Sequence, residues 1–193
     1  MLPGIQFSTE SQPAAFLYPA NLRGYAARVA YSIGGVALGD ISKGIRHQLW
    51  RVYYVPETLE VRLTNESGFD QAMFKAYKVT ELSLAFDFSM RAQIAYTENG
   101  QTWLRQFNLA GDESIKRAIP NATFPRLTLD DKRQEQAGTA DVLLFYLRAG
   151  NICCRIQRES FLTEHILARE VEDTRLGRVG MTTGWRVQVE ALP

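Results

Sequence analysis

The chain has 193 residues, 46% of them apolar and 22% charged, with 22 Lys+Arg against 21 Asp+Glu for a net charge of +1. That is length for one domain, or one domain with an arm, and enough to bury roughly 70% of the unfolded surface without a metal or disulfide staple. The near-neutral balance excludes both a strongly acidic tail and the broad basic footprint of a dedicated nucleic-acid binder.

The opening residues, Met1 to Glu10, have neither the basic start nor the long apolar stretch of a signal peptide. No apolar run approaches the ~20 residues of a membrane span. In residues 1–25, Pro3, Gly4, Pro13, Pro19, Asn21 and Gly24 interrupt any period, while Phe7, Phe16, Leu17 and Tyr18 are scattered apolar anchors. The segment reads as an extended arm, too apolar for a solvated tail. It is expected to order against a neighbouring subunit, with packing on its own domain as the competing reading.

Residues 26–193 read as a β-rich domain, because from Tyr25 the dominant period is two. Val29 to Ile33 is a short strand ending at Gly34-Gly35. His47 to Val55 is a strand closed by Pro56, and Leu59, Val61 and Leu63 alternate with polar residues. Met73 to Val79 fits helix or strand. Leu82 to Phe86 alternates and stops at Asp87. Gln93 to Tyr96 and Trp103 to Leu109 flank Asn99-Gly100, the strongest short-range hairpin signal. Arg126 to Leu129 stops at Asp130-Asp131. Val142 to Leu147 and Ile152 to Gln157 flank a turn at Ala149-Gly150-Asn151. Phe161 to Arg169 has the spacing of a short helix, and Trp185, Val187 and Val189 alternate near the end.

Two stretches, about 82–109 and 126–158, repeat one pattern: strand, Asp, loop, strand with Tyr, glycine turn, strand. Gly150 follows Gly100 by 50 residues, and the second unit carries an extra loop at Lys132–Thr139. Periods of roughly 40–50 residues with several strands are those of propeller blades. Residues 26–193 supply at most about four such blades. The fold expected is therefore mainly β: an antiparallel β-sandwich or incomplete propeller-like blades, preceded by the extended arm. Open sheets have edges that must be covered or paired.

The turn Glu98-Asn99-Gly100-Gln101-Thr102-Trp103 resembles the Asp-box of sialidase-type propellers, with Glu98 in place of the Asp and Tyr96 departing from the leading Ser. The resemblance implies a structural hairpin whose Trp103 packs between blades. Three further segments, Thr80 to Asp87, Pro125 to Arg133 and Asp141 to Ile152, together with Arg155 to Glu159 and Gly177 to Met181, are similar in texture to structural tail and neck proteins of tailed-bacteriophage virions. This similarity covers roughly residues 80–182. It implies a β-rich, non-enzymatic component, present in several copies as a symmetric homo-oligomer among other tail proteins. Such a chain would assemble in the host cytoplasm and end in the virion tail. A carbohydrate- or receptor-binding β module of a fibre or spike is the alternative.

Catalytic patterns are weak. His47 and His165 are far apart and no Cys-x-x-Cys exists, so no metal or cofactor is expected. Asp130-Asp131 and Glu170-Val171-Glu172-Asp173 lack the glycine-centred calcium loop and read as solvated turns. Gly34 to Gly39 has no following Lys-Ser/Thr, and no Gly-x-Ser-x-Gly elbow occurs. Cys153 and Cys154 are adjacent, so on a strand their thiols face opposite ways and stay reduced. Arg148, Arg155 and Arg158 read as a possible interface patch or as a solvated face. The aromatics Tyr53, Tyr54, Tyr96, Trp103 and Trp185 read as core, with a sugar platform as the alternative.

Overall fold

The computed structural model of the protein describes residues 5–8, 29–31, 49–65, 68–87, 91–108, 110–130, 141–169, 171, 174–181 and 187–192. These residues form fifteen strands, β1 to β15, and a single 3₁₀ turn at Gln157–Glu159. The first sheet contains β2 (Val29–Tyr31), β3 (Leu49–Val55), β4 (Glu60–Asn65) and β5 (Asp70–Lys75). The second contains β6 (Val79–Phe86), β7 (Ala92–Glu98), β8 (Gln101–Phe107) and β9 (Glu113–Ile119). The third contains β10 (Thr123–Asp130), β11 (Asp141–Arg148), β12 (Asn151–Ile156) and β13 (His165–Ala168). Each of these is an antiparallel four-stranded meander in chain order. The fourth sheet runs β1-β15-β14, from β14 (Arg175–Met181), β15 (Val187–Leu192) and β1 (Ile5–Ser8), with β1 parallel to β15.

The sheets stack in sequence, and their first strands adjoin: β2 and β3 pack on β6, β6 on β10, and β10 on β14. Three separate apolar cores lie between the four sheets. Val52, Tyr54, Val61 and Leu63 meet Leu82, Leu84, Ile94 and Tyr96. Ala85, Ala95, Leu104 and Ile119 meet Leu127, Val142, Leu144 and Tyr146. Leu143, Phe145 and Leu147 meet Leu176, Val179 and Val189. Three cores between four layers make a row of blade-like sheets, not a two-layer sandwich. We call the face of each sheet toward the preceding one its leading face, and the other its trailing face.

This layering explains the sequence of β11. Successive side chains on a strand point to opposite faces, and both faces of the third sheet are covered. Val142, Leu144 and Tyr146 therefore enter one core and Leu143, Phe145 and Leu147 the next, each fully or almost fully buried. Burial of such side chains stabilises by ~1.5–3 kcal/mol each, so an unbroken apolar run is what a sheet inside a stack requires. The adjacent thiols follow the same rule: Cys153 lies in the core between sheets two and three, and Cys154 in the core between three and four. Both are buried, and neither forms a disulfide.

Several expectations are corrected. Residues 1–25 were expected to lack a regular element of their own, but Ile5–Ser8 is a strand, and Phe7 pairs through its backbone with Val189 of the same chain. Phe161 to Arg169 is not a helix. Ser160 and Phe161 both adopt positive φ (53° and 54°), which no right-handed helix accommodates, and β13 follows. The third-sheet hairpin loop is the pair Ala149-Gly150, with Asn151 already on β12 and facing Arg148. The ambiguous Met73 to Val79 stretch is the end of β5 and the start of β6. Phe16, Leu17, Tyr18, Gly34-Gly35, His47, the Lys132–Thr139 loop and Trp185 lie outside the described residues.

Candidate functional site

The Asp-box-like turn is a two-residue hairpin. Glu98 pairs with Gln101, and both central residues have positive φ, 48° at Asn99 and 81° at Gly100, as a type I′ turn demands. Its side chains and the Asn99 backbone staple the two linkers that join this sheet to its neighbours. The Glu98 carboxylate accepts from the Tyr77 backbone N–H at 2.6 Å, and the Asn99 N–H donates to the Lys78 carbonyl at 3.3 Å. On the other side the Thr102 hydroxyl donates to the Ala122 carbonyl at 2.6 Å, and Gln101 donates to the Ile119 carbonyl at 3.0 Å. Trp103 packs against the core between sheets one and two, with the Lys116 ammonium 4.5 Å from its ring. The Glu98 carboxylate thus binds backbone of the preceding linker.

A second constellation recurs in three sheets, and it was not visible as a motif. Tyr53, Arg62 and Asp70 lie on strands β3, β4 and β5; Tyr96, Arg105 and Glu113 on β7, β8 and β9; Tyr146 and Arg155 on β11 and β12, with Glu164 just before β13. In the first set the Tyr53 hydroxyl donates to the Asp70 carboxylate at 3.0 Å, and Arg62 Nε donates to it at 3.1 Å. In the second, Arg105 Nε donates to the Tyr96 hydroxyl at 2.8 Å and its other nitrogen pairs with Glu113. In the third, Arg155 Nε donates to the Tyr146 hydroxyl at 2.9 Å, and that hydroxyl donates to Glu164. Each set clamps the second, third and fourth strands of its sheet across the hydrogen-bonding direction. All three lie on leading faces, since Val52 and Tyr54 alternate with Tyr53 toward the trailing side while Tyr96 and Tyr146 themselves enter the cores in front of their sheets.

The environment of each set sets its titration. Burial, and then the Glu164 carboxylate, push the Tyr146 hydroxyl well above its ordinary value. Burial raises the Tyr96 hydroxyl too, against the opposing pull of Arg105. Burial, then Asp70, raises Tyr53. Beside the third set, the Cys153 thiol is pushed up to about 11, chiefly by burial and then by Glu164. The raised values keep the three hydroxyls protonated, with Tyr53 and Tyr146 donating to their carboxylates.

The arginine cluster expected as one patch is divided. Arg148 and Arg155 converge on Glu164, and Arg155 also donates to the Phe161 carbonyl at 2.9 Å. Arg155 is therefore an internal clamp and not a surface contact. Arg158 sits at the opposite end of the hairpin, paired with Asp141 at 3.1 Å and largely exposed. The sequence reading missed Arg126. This buried side chain on β10 donates to Glu81 on β6 at 2.7 Å and to the Gly177 carbonyl on β14 at 2.8 Å, joining three sheets near their first strands. Its neighbour Leu127 donates its N–H to the Ser83 hydroxyl at 2.8 Å. Of the aromatics, Tyr54 and Tyr96 are buried, while Tyr53 is half-buried on its sheet's leading face.

One cleft of about 430 Å³ opens beside the Ala149-Gly150 turn, lined by Asn121, Thr123, Phe124, Arg148, Val171 and Thr174 among others. Comparison of the chain with protein-family models, curated proteins and solved structures gives no match.

Proposed function

We propose that this chain is a structural, non-enzymatic component of a tailed-bacteriophage tail or neck, assembled in the host cytoplasm into a symmetric homo-oligomer with other tail proteins. The observation that carries the reading is the use made of its ionisable groups. Tyr, Arg and acid side chains are spent on clamping strands within sheets, and Arg126 on joining sheets to one another. A stack of cross-braced blades suits a part that bears load. The texture of residues 80–182 supports the same reading. The test is light scattering on the full chain together with immunogold labelling of phage particles. A defined oligomer and regular labelling at the tail are expected. A chain that labels no part of the particle, or that turns over a polysaccharide and loses this on a single carboxylate-to-amide change, would overturn the proposal.

The cleft beside Ala149-Gly150 favours a second reading, a carbohydrate- or receptor-binding module. Thr123, Thr174 and Asn121 line it together with Phe124 and Val171, the mixture of polar and apolar residues typical of small-ligand sites. Saturable binding of the isolated chain on a glycan array, lost in Asn121→Ala, would favour it.

A further inference from the structure

The chain has six asparagines, and only Asn99 is followed by glycine. An asparagine side chain can be attacked by the backbone nitrogen of the next residue, and glycine has no Cβ to shield that nitrogen. Both reacting groups are open at this turn. Asn99 and Gly100 are exposed, and no heavy atom lies within 4 Å of where a Gly100 Cβ would stand. Neither the Asn99 side-chain amide nor the Gly100 N–H has a hydrogen-bond partner among the described residues. Three other asparagines are held. The Asn108 side chain binds Asp112 through both its oxygen and its nitrogen. The Asn151 amide donates to the Arg148 and Ala149 carbonyls. After Asn121 the attacking nitrogen would be that of Ala122, which donates to the Ile119 carbonyl at 3.4 Å.

We propose that Asn99 is a site of spontaneous deamidation, and that its isoaspartyl product releases the staple on the linker between the first two sheets. The Gly100 nitrogen attacks the Asn99 side-chain carbonyl carbon, and the new bond closes a five-membered succinimide. The Gly100 amide proton passes to solvent, and the side-chain nitrogen leaves as ammonia. Water then opens the ring, and nothing is oxidised or reduced. Opening at the side-chain carbonyl leaves aspartate at position 99. Asp-Gly suits a type I′ turn as Asn-Gly does, so the staple stays. Opening at the backbone carbonyl leaves isoaspartate, which routes the main chain through the side chain and lengthens it by one methylene. A two-residue loop cannot keep Glu98 opposite Gln101 with that extra atom. The Glu98 bond to the Tyr77 N–H and the Asn99 bond to the Lys78 carbonyl are then lost together.

The experiment uses the full chain, aged in warm, mildly alkaline buffer either folded or in urea, and then mapped with trypsin. The tryptic peptide 92–105 carries Asn99 and no other asparagine. In the folded chain its conversion from amide to acid should outrun that at every other asparagine by about tenfold or more, since only here does the attacking nitrogen lack a neighbouring Cβ. Isoaspartate is detected with protein isoaspartyl methyltransferase. The aged fraction that carries it, separated by ion exchange, should melt several degrees below fresh protein, and methyltransferase repair should restore the melting temperature. Fresh Asn99→Asp should melt with the parent. Faster conversion at another asparagine overturns the proposal. So does an Asn99 that survives in the folded chain while converting in urea, because the turn then shields it. An isoaspartyl form that melts with the parent shows that the staple does not depend on this backbone and overturns the proposal as well.

Discussion

Replacing Gly100 by valine tests the hairpin at the centre of the second sheet. Gly100 has φ +81°, and a Cβ built there would have no heavy atom within 4 Å. The cost is therefore conformational and not steric. An L-residue forced into this region loses ~1–2 kcal/mol, and a β-branched side chain more, up to ~3 kcal/mol. The turn cannot drift to relieve the strain, because Glu98 and Asn99 hold the Tyr77-Lys78 linker on one side and Thr102 holds Ala122 on the other. Gly100→Ala should cost about 1 kcal/mol and Gly100→Val about 2–3 kcal/mol. For a chain of this size that lowers Tm by roughly 2–4 °C per kcal/mol. Urea unfolding followed by tryptophan fluorescence gives the free energies directly, provided the m-values agree. Gly150, with φ +71° and equally open surroundings, should respond alike. Midpoints unchanged in both valine variants would refute the turn geometry; an alanine penalty as large as valine's would show that sterics had been misjudged.

The partner turn carries Ala149 at φ 49°, a left-handed conformation in which the alanine side chain has no polar atom to bond the backbone locally. Ala149→Asn should raise stability by about 0.5–1 kcal/mol, measured by the same urea titration. Glu164→Gln weakens the carboxylate shared by Tyr146, Arg148 and Arg155. With Arg148 partly exposed, a loss of about 2–3 kcal/mol is expected, below that of a fully buried pair. A double-mutant cycle with Tyr146→Phe should show coupling. Stability should also fall in alkali. The Cys153 thiol ordinarily titrates at 9.0 and in the fold at about 11, so the folded state holds its proton more tightly than the unfolded. That contribution is complete below pH 9.0, and it is lost as pH rises to about 11. Cys153→Ser, followed by chemical denaturation at pH 8 and 11, should remove part of the slope.

What was legible in the sequence followed from which faces are covered. Period-two alternation marks strands with one wet face, such as β4, and an apolar run between turn signals marks a strand covered on both, such as β11. Strands β9 and β14 escaped because they meet neither condition. In β9, Glu113 to Lys116 are all exposed on an edge, so no burial imposes a period on them. In β14 the register shifts between Leu176 and Val179, so a bulge breaks the alternation. β13 was mistaken for a helix because Phe161, Leu162, His165, Ile166 and Leu167 lie near helical spacing. Phe161 and Leu167 belong to different cores, on opposite sides of the third sheet. Arg126 carried no signal, since one arginine in a strand reads as surface until its acceptors on two other sheets are seen.

The threefold clamp was hidden for a different reason. Its spacing is constant: Tyr-x8-Arg in all three sheets, with the acid after seven residues at Asp70 and Glu113 and after eight at Glu164. The turns between Tyr and Arg differ. Asn99-Gly100 and Ala149-Gly150 are two-residue loops, so Tyr96 faces Trp103 while Arg105 faces Ile94, and the clamp runs diagonally across the pair. In the first sheet the connection is four residues, Pro56 to Leu59, and Tyr53 faces Arg62 directly. Aligning units by their glycine turns therefore pairs the second and third sheets and leaves the first out of register. An arginine side chain is long enough to reach its tyrosine either across or along the diagonal, where opposed strand residues lie within ~8 Å. The clamp tolerates the change in turn because only the separation along the chain, and not the pairing register, has to be kept. A repeat whose constant feature is a reach between side chains is invisible to a comparison of strands and turns.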